Sequence, residues 1–369
     1  MIYLDNGATS FHKPPEVLQA VRDAMLTCAN PGRGGYPAAT EAAARVFHCR
    51  EQAAKMFGCR EEQVIFTSNC THGLNIAINS LVKPGSRVLI SGFEHNAVTR
   101  TLRGLGAKVL VAGRQLFDWE NTLAEFENGL QKGVHVAVFT HVSNVFGYIL
   151  PVEAMIRLCY RYGVPCVLDA AQSAGNLEVS MEKWQPNFIA MPGHKGLLGP
   201  QGTGLLLCRD TAVPLLRGGT GSESANQDMP DFLPDRLEPG TLNVPGIAGL
   251  GASLTWLNRR GIDTLFREEQ RQAGRCAEGL QSLGMRVFTG PHQGGTVSFL
   301  TGMDCEDAGA QLAKQGIAVR SGLHCAPLAH ESAGTLETGT VRVSFGMDAS
   351  DGQTQAFLRA VSKLPPFPS

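Results

Sequence analysis

Val167-Leu168-Asp169-Ala170-Ala171-Gln172 and, further along, Met191-Pro192-Gly193-His194-Lys195-Gly196 decide how this chain is read. Each segment holds the end of an apolar run and closes on a chemically active group. The first closes on an acid, the second on His-Lys. Unbroken apolar runs are what strands buried on both faces require. In open α/β sheets, ligands sit beyond the carboxyl ends of the strands, so Asp169 and Lys195 are expected to face one crevice. Taken singly, a strand-end Asp is usually a cap or turn residue, and a lone Lys a solvated charge. The pair on successive strands is the signal.

Outward from this pair, further strands are predicted at Val64–Thr67, Arg87–Ser91, Lys108–Gly113, Val134–Ser143 and Gly204–Cys208. The two central ones run Pro165–Ala170 and Phe188–Met191. Helical periodicity fills Thr71–Val82, Asn96–Leu105, Trp119–Leu130 and Val152–Tyr162. Alternation of this kind predicts an α/β fold, with a mostly parallel seven-stranded sheet covered by helices. The last three strands follow one another closely, so an antiparallel member is expected among them. Residues 210–246 are rich in Gly, Pro, Asp and Ser and lack a steady period, which marks an irregular functional stretch. Beyond it, helices near 246–260, 262–284, 305–316 and 351–363 alternate with strands near 285–289, 295–300, 317–321 and 340–345. These form a smaller α+β unit.

The 369 residues suggest two domains, or one large one with an annex. Hydrophobic residues make up 43% and charged ones 18%, which excludes a disordered chain. Lys plus Arg is 32 against 33 Asp plus Glu, a net charge of −1. That balance argues against nucleic acid or an anionic membrane as the main partner. No apolar run is long enough to span a bilayer, and Met1–Asn6 lacks the pattern of a secretory signal. No Gly-Lys dipeptide occurs, so a P-loop is absent. Gly104-Leu105-Gly106 and Gly249-Leu250-Gly251 lack the third glycine of a dinucleotide fingerprint. None of the ten cysteines forms a C-x-x-C pair, so no metal site is expected. Reduced thiols in a cytoplasmic protein are expected instead.

A lysine and an acid on successive strand ends suit pyridoxal phosphate: the lysine holds the cofactor covalently, and the acid keeps its ring nitrogen protonated. Asp169-x-x-Gln172 followed by Gly193-His194-Lys195 resembles the class V aminotransferase family of fold-type I pyridoxal-phosphate enzymes. Tyr3-Leu4-Asp5-Asn6-Gly7-Ala8-Thr9 resembles that family's opening segment. Phe66–Asn75 resembles its phosphate site, Glu94-His95-Asn96-Ala97 the segment that stacks on the cofactor, and His141–Gly147 its H-V-S-N-x-x-G segment. Arg320-Ser321-Gly322-Leu323-His324-Cys325-Ala326 resembles the R-x-G-x-H-C-A loop of Suf-like cysteine desulfurases and selenocysteine lyases.

The resemblance implies a large cofactor domain over 15–245. A small domain over 1–14 and 246–369 carries the cysteine loop. It implies Lys195, Cys325 and His95 as catalytic residues. Cys70, Thr71, His95, Asn144, Asp169, Gln172, His194 and Lys195 become cofactor ligands. Gly240 and Thr241 are expected to reach the phosphate across a homodimer with shared active sites. Arg342, Arg320, Asn144 and Tyr36 are expected to meet the substrate. Arg342 in particular suits a carboxylate, which a guanidinium grips with two bonds. His324, His95 and Arg320 are expected to favour the Cys325 thiolate, the reactive form of the group.

The implied reaction removes sulfur, or selenium, from L-cysteine or L-selenocysteine, giving alanine and a Cys325 persulfide for a possible acceptor protein. An aminotransferase, or a C–S lyase on another amino acid without a persulfide step, is the alternative. Four positions depart from the Suf-like pattern: Pro192 for serine, Cys70 for threonine, His72 for glutamate and Tyr36 for histidine.

Overall fold

Seven strands pair in the order Val64–Thr67, Gly204–Cys208, Phe188–Pro192, Cys166–Asp169, Val136–Thr140, Arg87–Ser91 and Lys108–Ala112. Gly204–Cys208 runs antiparallel to both neighbours, and the other pairings are parallel. The architecture is therefore the expected α/β one, with the antiparallel member among the last three strands. The computed structural model describes residues 1–32, 34–210 and 212–368.

The strands read as continuous apolar runs because both faces of the sheet are covered. Alternate residues feed two separate cores. Leu89, Ala137, Phe139, Leu168 and Ile189 point to one, while Val88, Ile90, Val138, Val167 and Phe188 point to the other. Helices Trp119–Gln131 and Val152–Arg161 supply Phe126, Leu130, Met155 and Ile156 to the first core. Helix Cys70–Leu81 supplies Leu74, Ile76 and Ile78 to the second. Helix Val244–Arg260 packs on helices Pro15–Thr27 and Pro37–Phe57, beside the first core.

A second, four-stranded sheet is antiparallel throughout, in the order Arg320–Gly322, Thr340–Ser344, Thr296–Leu300 and Arg286–Phe288. The single strand expected near 317–321 is two. Ile317–Ala318 pairs in parallel with Ile2–Tyr3, whereas Arg320–Gly322 joins the four-stranded sheet. The chain changes sheets at Val319, which is why one apolar run covers two pairings. The opening segment is thereby fastened to C-terminal residues, and its Leu4 joins a third core with Val297, Phe299, Val341 and Phe357. Residues 212–243 are irregular apart from a short 3₁₀ turn at Asp235–Leu237, and the expected irregular stretch ends where helix Val244–Arg260 begins. They are fixed at Glu238, which takes a bidentate ion pair from buried Arg50 (3.0 and 2.9 Å) and the Phe66 N–H (2.6 Å). Among the described residues, no helix is long and apolar enough to cross a membrane.

Candidate active site

Three strands end together. Thr140, Asp169 and Ala190 are register partners, so the residues that close these strands emerge on one edge of the sheet. A cavity of about 240 Å³ opens there, between the sheet edge and the smaller unit. Cys70, Thr71, His95, Asn144, Asp169, Gln172, His194, Lys195, Arg320 and Arg342 all line it. Ten side chains scattered from residue 70 to residue 342 thus converge on one space.

Lys195 follows the Phe188–Pro192 strand through a tight turn. Gly193 makes the turn possible: its N–H donates to Thr203 O (2.8 Å), and a Cβ there would collide with Thr203 Oγ1. Burial pushes the Lys195 ammonium below its ordinary pKa, and Arg342 and Arg320 add to the effect, against Cys70 and Asp169. Asp169 is 2% exposed, and burial raises its carboxyl. The Ala171 N–H (2.9 Å) and Cys70 Sγ (3.5 Å) donate to its Oδ1 and oppose that rise. Cys70, where the family often has threonine, thus spends its thiol proton on the acid.

His95 caps helix Asn96–Gly104 with its ring. Its Nδ1 accepts the Ala97 N–H (3.0 Å), so in the neutral imidazole the proton sits on Nε2. Burial, with Lys195 nearby, holds its pKa down to about 4. Glu94, just before it, is fully buried and accepts from Thr140 N–H (3.0 Å), Ser91 N–H (3.3 Å) and the Ser91 hydroxyl. It ties two strand ends together behind His95. Burial lifts its carboxyl to about 8. His194 is held by the opening segment: its Nδ1 lies 3.0 Å from Thr9 Oγ1, and its carbonyl accepts the Ser10 hydroxyl (2.9 Å).

Arg342 is 1% exposed, and two of its nitrogens are engaged. Nη2 donates to Asp5 Oδ1 (2.6 Å) and Nη1 to the Asn144 carbonyl (2.8 Å), while the buried Nε has no partner. The guanidinium is therefore fixed before any ligand arrives, with its Nε–H among the donors still unspent. Arg320 Nη2 lies 3.8 Å from Cys325 Sγ at the rim of the same cavity. Cys325 is the exposed one of the ten cysteines; seven are buried and two are intermediate. Its loop is held from the large sheet side by Asn144 Nδ2 donating to His324 O (2.8 Å) and Asn96 N–H donating to Cys325 O (2.8 Å).

One expectation about the thiolate needs correction. Burial and Arg342 push His324 down to about 2, and His95 stands near 4, so both rings are uncharged at neutral pH. Of the three groups expected to favour the thiolate by charge, only the Arg320 guanidinium can do so. Three other expected residues lie elsewhere in the protomer. Tyr36 is 52% exposed, and Gly240 and Thr241 line a separate cavity with Asn30, Arg50 and Glu238. Asp5 and Glu94 fell within quoted motifs without a role, and His330 was not singled out at all. Their partners, 337 and 46 residues away for Asp5 and Glu94, left no local trace in the sequence.

The whole chain has relatives. A probable cysteine desulfurase of Methanothermobacter thermautotrophicus is 31% identical over 93% of this chain and 89% of its own. Another from Pyrococcus abyssi is 31% identical, over 99% and 94%. Among solved structures, the apo cysteine desulfurase of Thermococcus onnurineus superposes with a TM-score of 0.89 at 32% identity, covering 98% of this chain and 94% of that one. The Escherichia coli cysteine desulfurase in its S-sulfonic acid form gives 0.85 at 26%, with the same coverage. The family model described as aminotransferase class-V matches residues 2–357. With strand-end Lys195 and Asp169 in one cavity and a match over nearly its full length, the chain belongs to the class V aminotransferase family.

Proposed function

We propose that this chain is a pyridoxal-phosphate-dependent cysteine desulfurase. It takes sulfur from L-cysteine, or selenium from L-selenocysteine, releases alanine and loads Cys325 with the chalcogen. One observation carries the reading: an exposed cysteine stands beside a guanidinium, 3.8 Å away, at the rim of a cavity lined by a half-buried lysine and a buried acid. The full-length relatives named as probable cysteine desulfurases support it.

The donor set fits the cofactor. A half-buried amine with a lowered pKa can bond an aldehyde covalently, and a buried carboxylate suits a protonated ring nitrogen. Thr71 lies in the first turn of helix Cys70–Leu81, where free N–H groups favour a phosphate, and His194 lines the same cavity. Bound there, pyridoxal phosphate supplies an electron-withdrawing ring that stabilises negative charge at the substrate α-carbon.

The protein does the rest. Lys195 would hold the cofactor and, once free, would take the substrate α-proton on Nζ. Asp169 keeps the ring nitrogen cationic. His95, with its proton on Nε2, would lie against the cofactor ring, and Asn144 and Gln172 would hydrogen-bond it. Arg342, braced by Asp5, takes the substrate carboxylate. The Cys325 thiolate attacks the substrate sulfur, the Cβ–S bond breaks, and its electron pair passes to the carbon that becomes the alanine methyl group. Gly240 and Thr241, outside their own protomer's cavity, serve a partner's phosphate in a homodimer. The unpaired cysteines fit a reducing, cytoplasmic setting, from which a small acceptor protein would collect the sulfur.

Replacing Cys325 tests this directly. Cys325→Ala should keep the visible absorbance of bound cofactor and lose alanine release from L-cysteine by at least about 100-fold. Unchanged turnover would rule out the persulfide step and leave an aminotransferase or C–S lyase.

A further inference from the structure

The loop that carries Cys325 has an unusual backbone. His324 and Cys325 both take left-handed φ values, +52° and +57°. Two successive non-glycine residues in that region are costly and persist only where surroundings over-determine them. The Asn96 N–H and the Asn144 side-chain amide account for the carbonyls of this pair. The His324 side chain accounts for the rest.

His324 is 4% exposed and points away from solvent, into a polar file behind the loop. Its Nε2 lies 3.2 Å from the Arg320 carbonyl, and its Nδ1 lies 3.4 Å from His330 Nε2. His330 Nδ1 lies 2.8 Å from Thr335 Oγ1. His330 and Thr335 are 0% and 1% exposed. The proton on each atom follows from the first contact. A carbonyl only accepts, so Nε2 of His324 is the donor. In a neutral ring its Nδ1 must then accept, so His330 Nε2 donates. His330 Nδ1 is left to accept, and the Thr335 hydroxyl donates to it. Every hydrogen-bonding group in the file is used once, in one direction. Both rings are held neutral by burial, at about 2 for His324 and about 4 for His330, as this arrangement requires. His330 sits on helix Pro327–Ala333, which is fastened to the strand end near His95 by Ser332 Oγ donating to the Gly92 carbonyl (2.8 Å).

We infer that His330 is a positioning residue for the sulfur-accepting thiol. Through His324, the Thr335–His330–His324–Arg320 file holds the left-handed turn that sets Cys325 Sγ beside Arg320. Neither His330 nor Thr335 touches the cofactor cavity. The inference rests on the desulfurase reading for its kinetic consequence but not for its structural one.

The test uses the holoenzyme. His330→Phe keeps ring volume and removes both nitrogens; His330→Gln returns a donor toward His324; Thr335→Val removes only the terminal donor. Amide hydrogen exchange of residues 321–326 should quicken in His330→Phe. Its kcat on L-cysteine should fall by about 10- to 100-fold, the cost of a misplaced reacting group, with KM and cofactor absorbance unchanged. His330→Gln should restore much of both losses, and Thr335→Val should fall between. Wild-type exchange and kcat in soluble His330→Phe would overturn the inference. So would a loss that Gln fails to restore. If His330→Phe does not fold, Thr335→Val decides in the same way: wild-type exchange and kcat contradict the file. If Cys325→Ala proves fully active, the desulfurase reading fails, and the exchange arm still decides whether His330 holds the loop.

Discussion

Lys195 lines the cavity and Cys325 stands beside Arg320 at its rim, yet they are held by opposite means. Lys195 and Asp169 stand at the ends of strands in a sheet with both faces buried, and strand register decides where they emerge. Cys325 stands on a loop with a left-handed backbone, held by single hydrogen bonds from Asn96, Asn144 and the His324 file. At the sheet end the amine and acid are pushed toward neutrality by burial; the loop leaves its thiol exposed. The difference fits the two tasks. A cofactor must be gripped without slack, whereas a thiol that receives sulfur must also give it away. A rigid floor and a side-chain-braced rim satisfy both.

The largest expected effect separates the two regions outright. Lys195→Ala should lose the visible absorbance of the bound cofactor and reduce turnover by roughly 1,000-fold or more. Alkylation of Cys325 by iodoacetamide should proceed as in the unloaded wild type. A parallel collapse of Cys325 reactivity would show that floor and rim are one unit.

Asp5→Asn probes the group that spans both regions. Arg342 receives Asp5 from the opening segment and gives a bond to Asn144, whose amide holds the cysteine loop. Loosening the guanidinium should raise KM for L-cysteine by about tenfold, with a smaller change in kcat. A pure kcat effect would place Arg342 with the loop rather than with substrate binding.

The smallest effect is a pH dependence of stability in the protein without cofactor. His95, His141, His194, His324 and His330 are held at about 4, 3, 4, 2 and 4, below their ordinary 6.5. Between those values the unfolded chain binds protons that the folded one refuses, so stability falls as pH drops below 6.5. Glu94 and Glu269 are lifted from 4.5 to about 8, so the folded chain keeps protons that the unfolded one releases. Their contribution is complete below 4.5 and is lost as pH rises toward 8. The histidines outnumber the glutamates on the acid side, and of these seven groups only the glutamates act between 6.5 and 8. Tm should therefore peak near pH 6.5 and fall by roughly a few degrees on either side. In His330→Gln the acid limb should be shallower, which assigns part of it to the loop.

The floor was legible because a strand buried on both faces has one composition, and because the residue after such a run must emerge at the sheet edge. Asp169 and Lys195 could be placed together on those grounds. The rim was legible only as a motif. R-x-G-x-H-C-A identifies Cys325 but says nothing of the φ values, and it suggested that His324 acts by charge. Burial makes that ring neutral and turns it into a structural link. His330 was invisible because Pro327–Ala333 is too short to show a helical period. Asp5 was equally hidden, since its partner is Arg342, reached only when the opening segment joins the smaller unit beside Ser344. Residues 212–243 showed no period because scattered anchors, the Glu238–Arg50 ion pair and single buried side chains such as Leu237, fix them in place of a continuous apolar face.

The central claim is that Cys325 accepts sulfur from a substrate bound at Lys195. One measurement meets it most directly: react the loaded enzyme with L-cysteine in a single turnover, then read the Cys325 peptide by mass spectrometry and quantify alanine. The account predicts one added sulfur atom on Cys325, alanine in equal amount, and neither in Lys195→Ala. Alanine formed with the sulfur on another cysteine, or with no protein-bound sulfur at all, would contradict it.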